Sequence, residues 1–220
     1  MEEARPENDA PGRVRVSTRS AFGVGAVVLV AVVALIATLV WPGYLNRDEA
    51  YAFNGGTWDP PNQASPIDLI DQDSQPFTLD SRKGKVVLVF FGYTYCPNFC
   101  PTTMLEVQKV KSLLGEQANE VDVLFVTVDP ERDLPARLKE YLAFFDPTFV
   151  GLSGTDAQID AIKLPWGVLG AKQPADANGQ YLVDHTTSLY AIDPDGNLRL
   201  VWGYGTSPED IAEDIEHILP

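Results

Sequence analysis

Histidine, cysteine and basic residues are all scarce in this chain, and each scarcity narrows what it does. Only two histidines and two cysteines occur among 220 residues. The cysteines, Cys96 and Cys100, stand four positions apart. A disulfide between them closes a short loop and adds little to fold stability, so a purely structural staple is a weak explanation. In an oxidising compartment they can pair; in a reducing one they can bind metal or do redox work. Lysine and arginine total 16 against 31 acidic residues, for a net charge of −15. That balance argues against nucleic acid as a partner, because phosphate contacts need basic patches. The acidity serves chiefly to keep the protein soluble. No internal repeat is present, and the length suggests one domain plus attachments.

Long runs that are uncharged and almost wholly apolar are also absent, with one exception. Residues 21–41 (AFGVGAVVLVAVVALIATLVW) are 21 positions without a charge, and a bilayer needs about 20. A signal-peptide core is shorter, about 7–15 residues, and no persuasive A-x-A site follows. The run is apolar on every face, which predicts one transmembrane helix over 21–41 rather than an amphipathic surface helix. Trp41 and Tyr44 suit an interfacial aromatic belt. Arg13, Arg15 and Arg19 precede the run, whereas Arg47 is the near basic residue beyond it. The positive-inside rule then puts residues 1–20 in the cytoplasm as a tail and residues 42–220 on the extracytoplasmic side. Residues 1–41 carry four basic and four acidic residues, so 12 basic and 27 acidic residues lie beyond and hold the whole net charge.

Residues 42–75 are rich in Pro, Gly, Asn and Asp and read as a spacer and entry segment. From residue 76 to 220 the chain alternates strands and helices. Residues 86–91 (VVLVFF) form a continuous apolar run, as in a strand covered on both faces. Thr102 or Thr103 caps a helix running to about Leu114. Residues 121–128 form a second buried strand. Asp133 is an N-cap for a helix over 134–145. A short strand over 149–152 and a helix over 156–163 follow. Residues 187–192 and 198–202 flank an Asp-Pro-Asp-Gly-Asn turn as a hairpin, and Ser207 caps a last helix beginning at Pro208. Early βα units give parallel strands and the late hairpin adds antiparallel ones. The expected fold is α/β: a thioredoxin-like mixed sheet with flanking helices, preceded by the transmembrane helix.

The cysteines follow the first buried strand directly, in Tyr95-Cys96-Pro97-Asn98-Phe99-Cys100-Pro101. One helical turn of spacing puts the two side chains on one face, about 5–6 Å apart. That suits a disulfide or two sulfurs around one metal. A helix N-terminus lowers thiol pKa, so both sulfurs are expected to ionise readily. His185 precedes the late hairpin, and in such a sheet the loop before that strand comes near the cysteine loop. Two thiolates and an imidazole form a soft set that favours Cu(I). Zinc in a structural site takes four protein ligands, whereas Cys₂His leaves one position open for transfer. Asp184, next to His185, is assigned to orient the ring. His217, in the last turn of the final helix, is read as structural or solvated.

With these residues in place, the chain resembles the Sco/SenC family of copper proteins, assembly factors of cytochrome c oxidase. The likeness runs over roughly residues 53–217. It rests on Gly92-Tyr93-Thr94 with the Cys96–Pro101 loop, on Val128-Asp129-Pro130-Glu131-Arg132-Asp133, and on Asp184-His185-Thr186 followed by Asp193-Pro194-Asp195-Gly196. The resemblance implies that Cys96, Cys100 and His185 ligate copper, as Cu(I) or Cu(II). It also implies delivery to the CuA site of oxidase subunit II, or reduction of that subunit's cysteines. On that view the protein is a metallochaperone rather than an enzyme. Tyr95 stands where many relatives carry histidine, and residues 164–178 depart from the usual segment. A thiol-disulfide oxidoreductase without obligatory copper is the alternative, although that chemistry usually uses C-x-x-C. A peroxidase of the same fold needs a threonine and an arginine at its cysteine, and Thr94 lies two residues before Cys96.

Overall fold

Residues 86–92 are apolar apart from a final glycine, and this sequence makes the centre of the sheet. In the computed structural model, which describes residues 29–36 and 51–220, Val86–Gly92 is a strand with every residue buried. Such a strand needs neighbours on both edges and cover on both faces. The strands, in chain order, are β1 Gly56–Gln63, β2 Asp68–Asp71, β3 Pro76–Thr78, β4 Val86–Gly92, β5 Val121–Thr127, β6 Val150–Ser153, β7 Gly170–Lys172, β8 Val183–His185, β9 Leu189–Ile192 and β10 Asn197–Trp202. The helices are α1 Phe99–Leu114, α2 Pro135–Ala143, α3 Asp156–Lys163 and α4 Pro208–Glu216.

Eight strands form one sheet in the order β1-β10-β9-β4-β5-β6-β2-β3. The pairs β4–β5 and β5–β6 are parallel, each joined through a helix, while β9 runs antiparallel to β4. This is the expected mixed sheet with flanking helices. Helix α1 packs against α4. The last two strands form the hairpin read from the Asp-Gly turn, with Gly196 at φ +90°.

The sheet takes in more chain than expected. Part of the stretch read as a spacer is built into it: β1 pairs with β10, and β2 pairs with β6 and β3. Pro60 and Pro61 obscured β1. They are tolerated because β1 is an edge strand, where a missing donor costs nothing on the open side. Residues 51–55 are fastened as well. The Asp214 carboxylate on α4 accepts from Tyr51 Oη (2.8 Å), Asn54 N (2.9 Å), Gly55 N (2.8 Å) and Trp202 Nε1 (2.8 Å).

Two cap assignments change. Helix α1 begins at Phe99, so Thr102 lies inside it and returns its hydroxyl to Asn98 O (2.9 Å). Pro101 falls in the first turn, where a missing N–H is harmless. Helix α2 begins at Pro135 with Leu134 as N-cap and no side-chain cap bond; Asp133 is spent elsewhere. Ser207 caps α4 as expected, accepting from Asp210 N (3.1 Å).

Residues 29–36 are helical, and among the described residues no helix is long and apolar enough to cross a membrane. The rest of the expected span, 21–28 and 37–41, lies outside the described residues, as does the 1–20 tail.

Burial alone raises the Asp214 pKa, but the donors around it outweigh burial and hold it below the usual carboxylate range. Folding therefore favours the ionised form, and the stability it lends is full above the unfolded pKa, about 3.9. It is lost as pH falls through the lower folded value. Asp214→Ala is expected to lower stability by about 2 kcal/mol at pH 7, since it leaves the buried Trp202 indole N–H and three part-buried donors without their acceptor. In denaturant titrations its deficit against the parent should shrink below about pH 4.

Candidate metal centre

The chain leaves β4 at Gly92, runs through Tyr93–Asn98 and enters α1, with Cys100 as the second helical residue. Gly92 is required by space, not by conformation. A Cβ there would sit 2.8 Å from Cys100 Sγ, 2.8 Å from Phe90 Cε1 and 3.1 Å from Phe125 Cε2. The strand end and the second sulfur are thus in direct contact. Cys96 lies just before the helix, its N–H on Tyr93 O (3.2 Å), and its sulfur accepts from Cys100 N (3.4 Å).

The third member arrives from β8. His185 Nε2 is 3.8 Å from Cys96 Sγ and 3.5 Å from Cys100 Sγ, and all three atoms lie within 4.8 Å of one another. Strand β9 begins at Leu189, opposite Phe90, so the end of β4 continues past it. The Phe91 carbonyl there receives His185 Nδ1 at 3.1 Å, and Thr186 O receives it at 2.9 Å. Two carbonyl acceptors require Nδ1 to carry a proton, so Nε2 is the nitrogen that faces the sulfurs: it donates to the Cys96 thiolate when the ring is protonated and offers its lone pair to a metal when the ring is neutral. Tyr93 and Phe90 stand edge-on to the ring at 5.5 and 6.2 Å.

The two thiols diverge in acidity. Cys96 is pushed down to about 3, first by the hydrogen bond from the Cys100 thiol and then, against burial, by His185 and backbone N–H groups. Cys100 moves up, because burial and the neighbouring Cys96 thiolate both disfavour a second charge. The expectation that both sulfurs ionise readily fails at Cys100, which is fully buried. Burial pulls the His185 imidazole down, but Cys96 and the two carbonyls outweigh it and the net shift is upward. Without a metal the pair therefore shares one proton, held on Cys100. With zinc's bond lengths as a guide, about 2.3 Å to sulfur and about 2.0 Å to nitrogen, a planar three-coordinate ion would hold S and N about 3.7 Å apart. The observed 3.5 and 3.8 Å match that spacing.

Asp184 does not orient the histidine. Neighbouring residues on a strand point to opposite faces, and Asp184 accepts from Gln173 Nε2 (2.7 Å) instead. His217 stacks on Tyr51 at 3.5 Å and takes no part in the cluster. Tyr95 is 46% exposed and lies under the guanidinium groups of Arg132 and Arg137, at 4.7 and 5.2 Å from its ring centre. Thr94 gives its hydroxyl hydrogen to Asp133 Oδ1 (2.7 Å) while accepting from Arg137 Nε (3.1 Å), so that hydrogen goes to Asp133 and not to Cys96.

Sequence reasoning missed several residues. Buried Asp133 is a tie rather than a cap. It accepts from Thr94 N (2.9 Å), Thr94 Oγ1 and Thr127 Oγ1 (2.7 Å), and its carbonyl accepts from Ser153 Oγ (3.0 Å). The ends of β5 and β6 and the start of the cysteine loop meet there. The divergent 164–178 segment supplies β7, which pairs residue by residue with β8, Gly170 opposite His185. Tyr93 Oη accepts from Val183 N (3.2 Å), joining the cysteine loop to that hairpin. The tyrosines at 93, 95 and 181 were the available signal.

Residues 57–220 match the SCO1/SenC family. The copper-bound structure of Bradyrhizobium japonicum ScoI is 40% identical and covers 71% of this chain and 99% of that one, with a TM-score of 0.66. A SCO2-like protein of Rickettsia felis is 35% identical over 148 residues, 67% of this chain and 72% of its own length. BsSco, described with a disulfide switch as a member of the Sco family of cytochrome c oxidase assembly proteins, is 25% identical. It covers 72% of this chain and 94% of its own, with a TM-score of 0.56.

Gly92→Ala is expected to displace Cys100 Sγ and destabilise the fold by about 1–3 kcal/mol, the usual cost of overpacking. Denaturant unfolding measures the second effect, and the rate of thiol alkylation at Cys100 measures the first. The family match, the thioredoxin-like sheet and the Cys₂His cluster agree: the chain belongs to the SCO1/SenC family.

Proposed function

We propose that this protein is a copper metallochaperone that holds one copper ion between Cys96 Sγ, Cys100 Sγ and His185 Nε2. It passes the ion to the CuA site of cytochrome c oxidase subunit II. The observation that carries the reading is the imidazole Nε2 fixed 3.5 and 3.8 Å from the two sulfurs. A disulfide exchanger needs the thiols but has no use for that nitrogen. Two soft sulfurs with one imidazole favour Cu(I). Three protein ligands leave a coordination position through which an acceptor's ligand can enter before the donor's leave. The copper-bound ScoI relative and the oxidase-assembly role stated for BsSco support the assignment. Residues 21–41 anchor the protein in this reading, with the metal domain on the extracytoplasmic side.

Binding costs the site one proton. Cys96 is already ionised, and Cys100 gives up its hydrogen when the ion replaces it as the partner of both sulfurs. The same thiolate next to a thiol favours a second reading, reduction of the acceptor's cysteines, in which Cys96 attacks and Cys100 resolves.

Copper titration of the full chain, with Cys96→Ala, Cys100→Ala and His185→Ala in parallel, separates the readings. Each variant is expected to weaken Cu(I) binding more than about 10-fold, the smallest loss usual when even an outer partner of a ligand is removed. Copper binding unchanged in His185→Ala, together with an equal rate of thiol-disulfide turnover, would assign the protein to the redox reading instead.

A further inference from the structure

Of the three proposed copper ligands, two come from the loop and first turn of α1 and the third from a short, separate hairpin. Among the described residues, strands β7 and β8 pair only with each other. A two-stranded hairpin is marginal alone in water, yet His185 sits at its end with a fixed ring. Something must hold the hairpin, and Arg132 is placed to do so. Its Nε pairs with buried Asp129 Oδ2 at 2.5 Å, and its Nη1 donates to Tyr181 O at 3.0 Å. The guanidinium lies 3.6 Å from the Tyr181 ring centre, 4.7 Å from Tyr95 and 5.8 Å from Tyr93. Tyr181 closes the circle by donating its hydroxyl to Asp129 Oδ1 at 2.9 Å. One side chain therefore touches the cysteine loop, the 129–133 turn and the chain leading into β8.

We infer that Arg132 is the positioning residue for the metal centre, clamping the His185 hairpin to the cysteine loop. Beside the single bonds from Val183 N to Tyr93 Oη and from His185 Nδ1 to Phe91 O, the other charged strap is Lys172 to Glu131 at 2.5 Å, with side chains 40% and 65% exposed. Solvent screens a pair so exposed, and it holds little. The Arg132–Asp129 pair is 17% and 0% exposed, shielded by the tyrosine rings. A planar fork that pairs, donates and stacks at once is chemistry lysine cannot reproduce. Within the VDPERD stretch, Asp133 thus ties the sheet end together, and Arg132 brings the hairpin to it.

The inference deepens the copper reading and rests on it only for the affinity arm of the test. Arg132→Lys keeps a cation for Asp129 while losing the fork and the stack. Tyr181→Leu removes the ring and the hydroxyl from the hairpin side and leaves Asp129 its arginine. Amide hydrogen exchange of the metal-free protein is the direct readout. Both variants are expected to exchange the Val183 amide, held by Tyr93 Oη, and the Gln173 amide, held by Leu182 O, at least 10-fold faster, with residues 86–92 unchanged. Cu(I) affinity should fall about 10- to 100-fold, as when partners that orient a ligand are lost. Hairpin exchange within two-fold of the parent in either folded variant overturns the clamp, as does a change confined to Tm. Faster exchange with unaltered Cu(I) affinity overturns its role in positioning His185. A parent that binds no copper refutes the copper reading, and hairpin exchange still decides the clamp.

Discussion

Everything at this site depends on two sulfurs sharing one proton at the end of a fully buried strand. Cys100 is held against Gly92 with no room for a methyl group, and the Cys96 sulfur receives the Cys100 backbone N–H. Low dielectric makes a second thiolate there costly. In the proposed copper site, a cation in place of that proton would remove this repulsion and satisfy both sulfurs together. The apolar burial that drives β4 into the centre of the sheet thus also sets the charge state of the pair. His185 completes it because the same strand end offers a carbonyl, Phe91 O, to fix the imidazole tautomer.

The supporting structure has two levels of rigidity. The cysteine loop is fastened to the large sheet through Asp133, which takes hydrogen bonds from Thr94 and Thr127. The histidine belongs to a hairpin outside that sheet, linked to it through Arg132, Tyr181 and Tyr93. Such a division suits the proposed hold and release of copper: Cys96 and Cys100 stay with the core, and His185 rides on an element with less buried surface, the kind that opens locally at low cost.

Much of this was legible in the sequence, because it followed from period and spacing. The apolar run at 86–91, the two buried strands, the Asp-Gly hairpin and the Ser207 cap all follow from local rules. The trio of Cys96, Cys100 and His185 was legible from residue chemistry and order. What failed was tertiary. Asp133 has cap-like chemistry, but the hydroxyls of Thr94 and Thr127 draw its carboxylate inward, and Pro135 opens the helix without it. Asp184 was assigned by adjacency, although strand alternation puts it on the face opposite His185. Strand β1 was hidden by prolines that an edge position tolerates. Arg132 shows itself only when tyrosines from separate segments converge on it.

Copper K-edge X-ray absorption of the Cu(I)-loaded protein reads the proposed ligand set directly. The predicted result is a three-coordinate ion with two sulfur scatterers and one imidazole nitrogen, the nitrogen contribution vanishing in His185→Ala. A two-coordinate, sulfur-only ion in the parent, or a ligand shell unaltered by His185→Ala, would contradict the Cys₂His site.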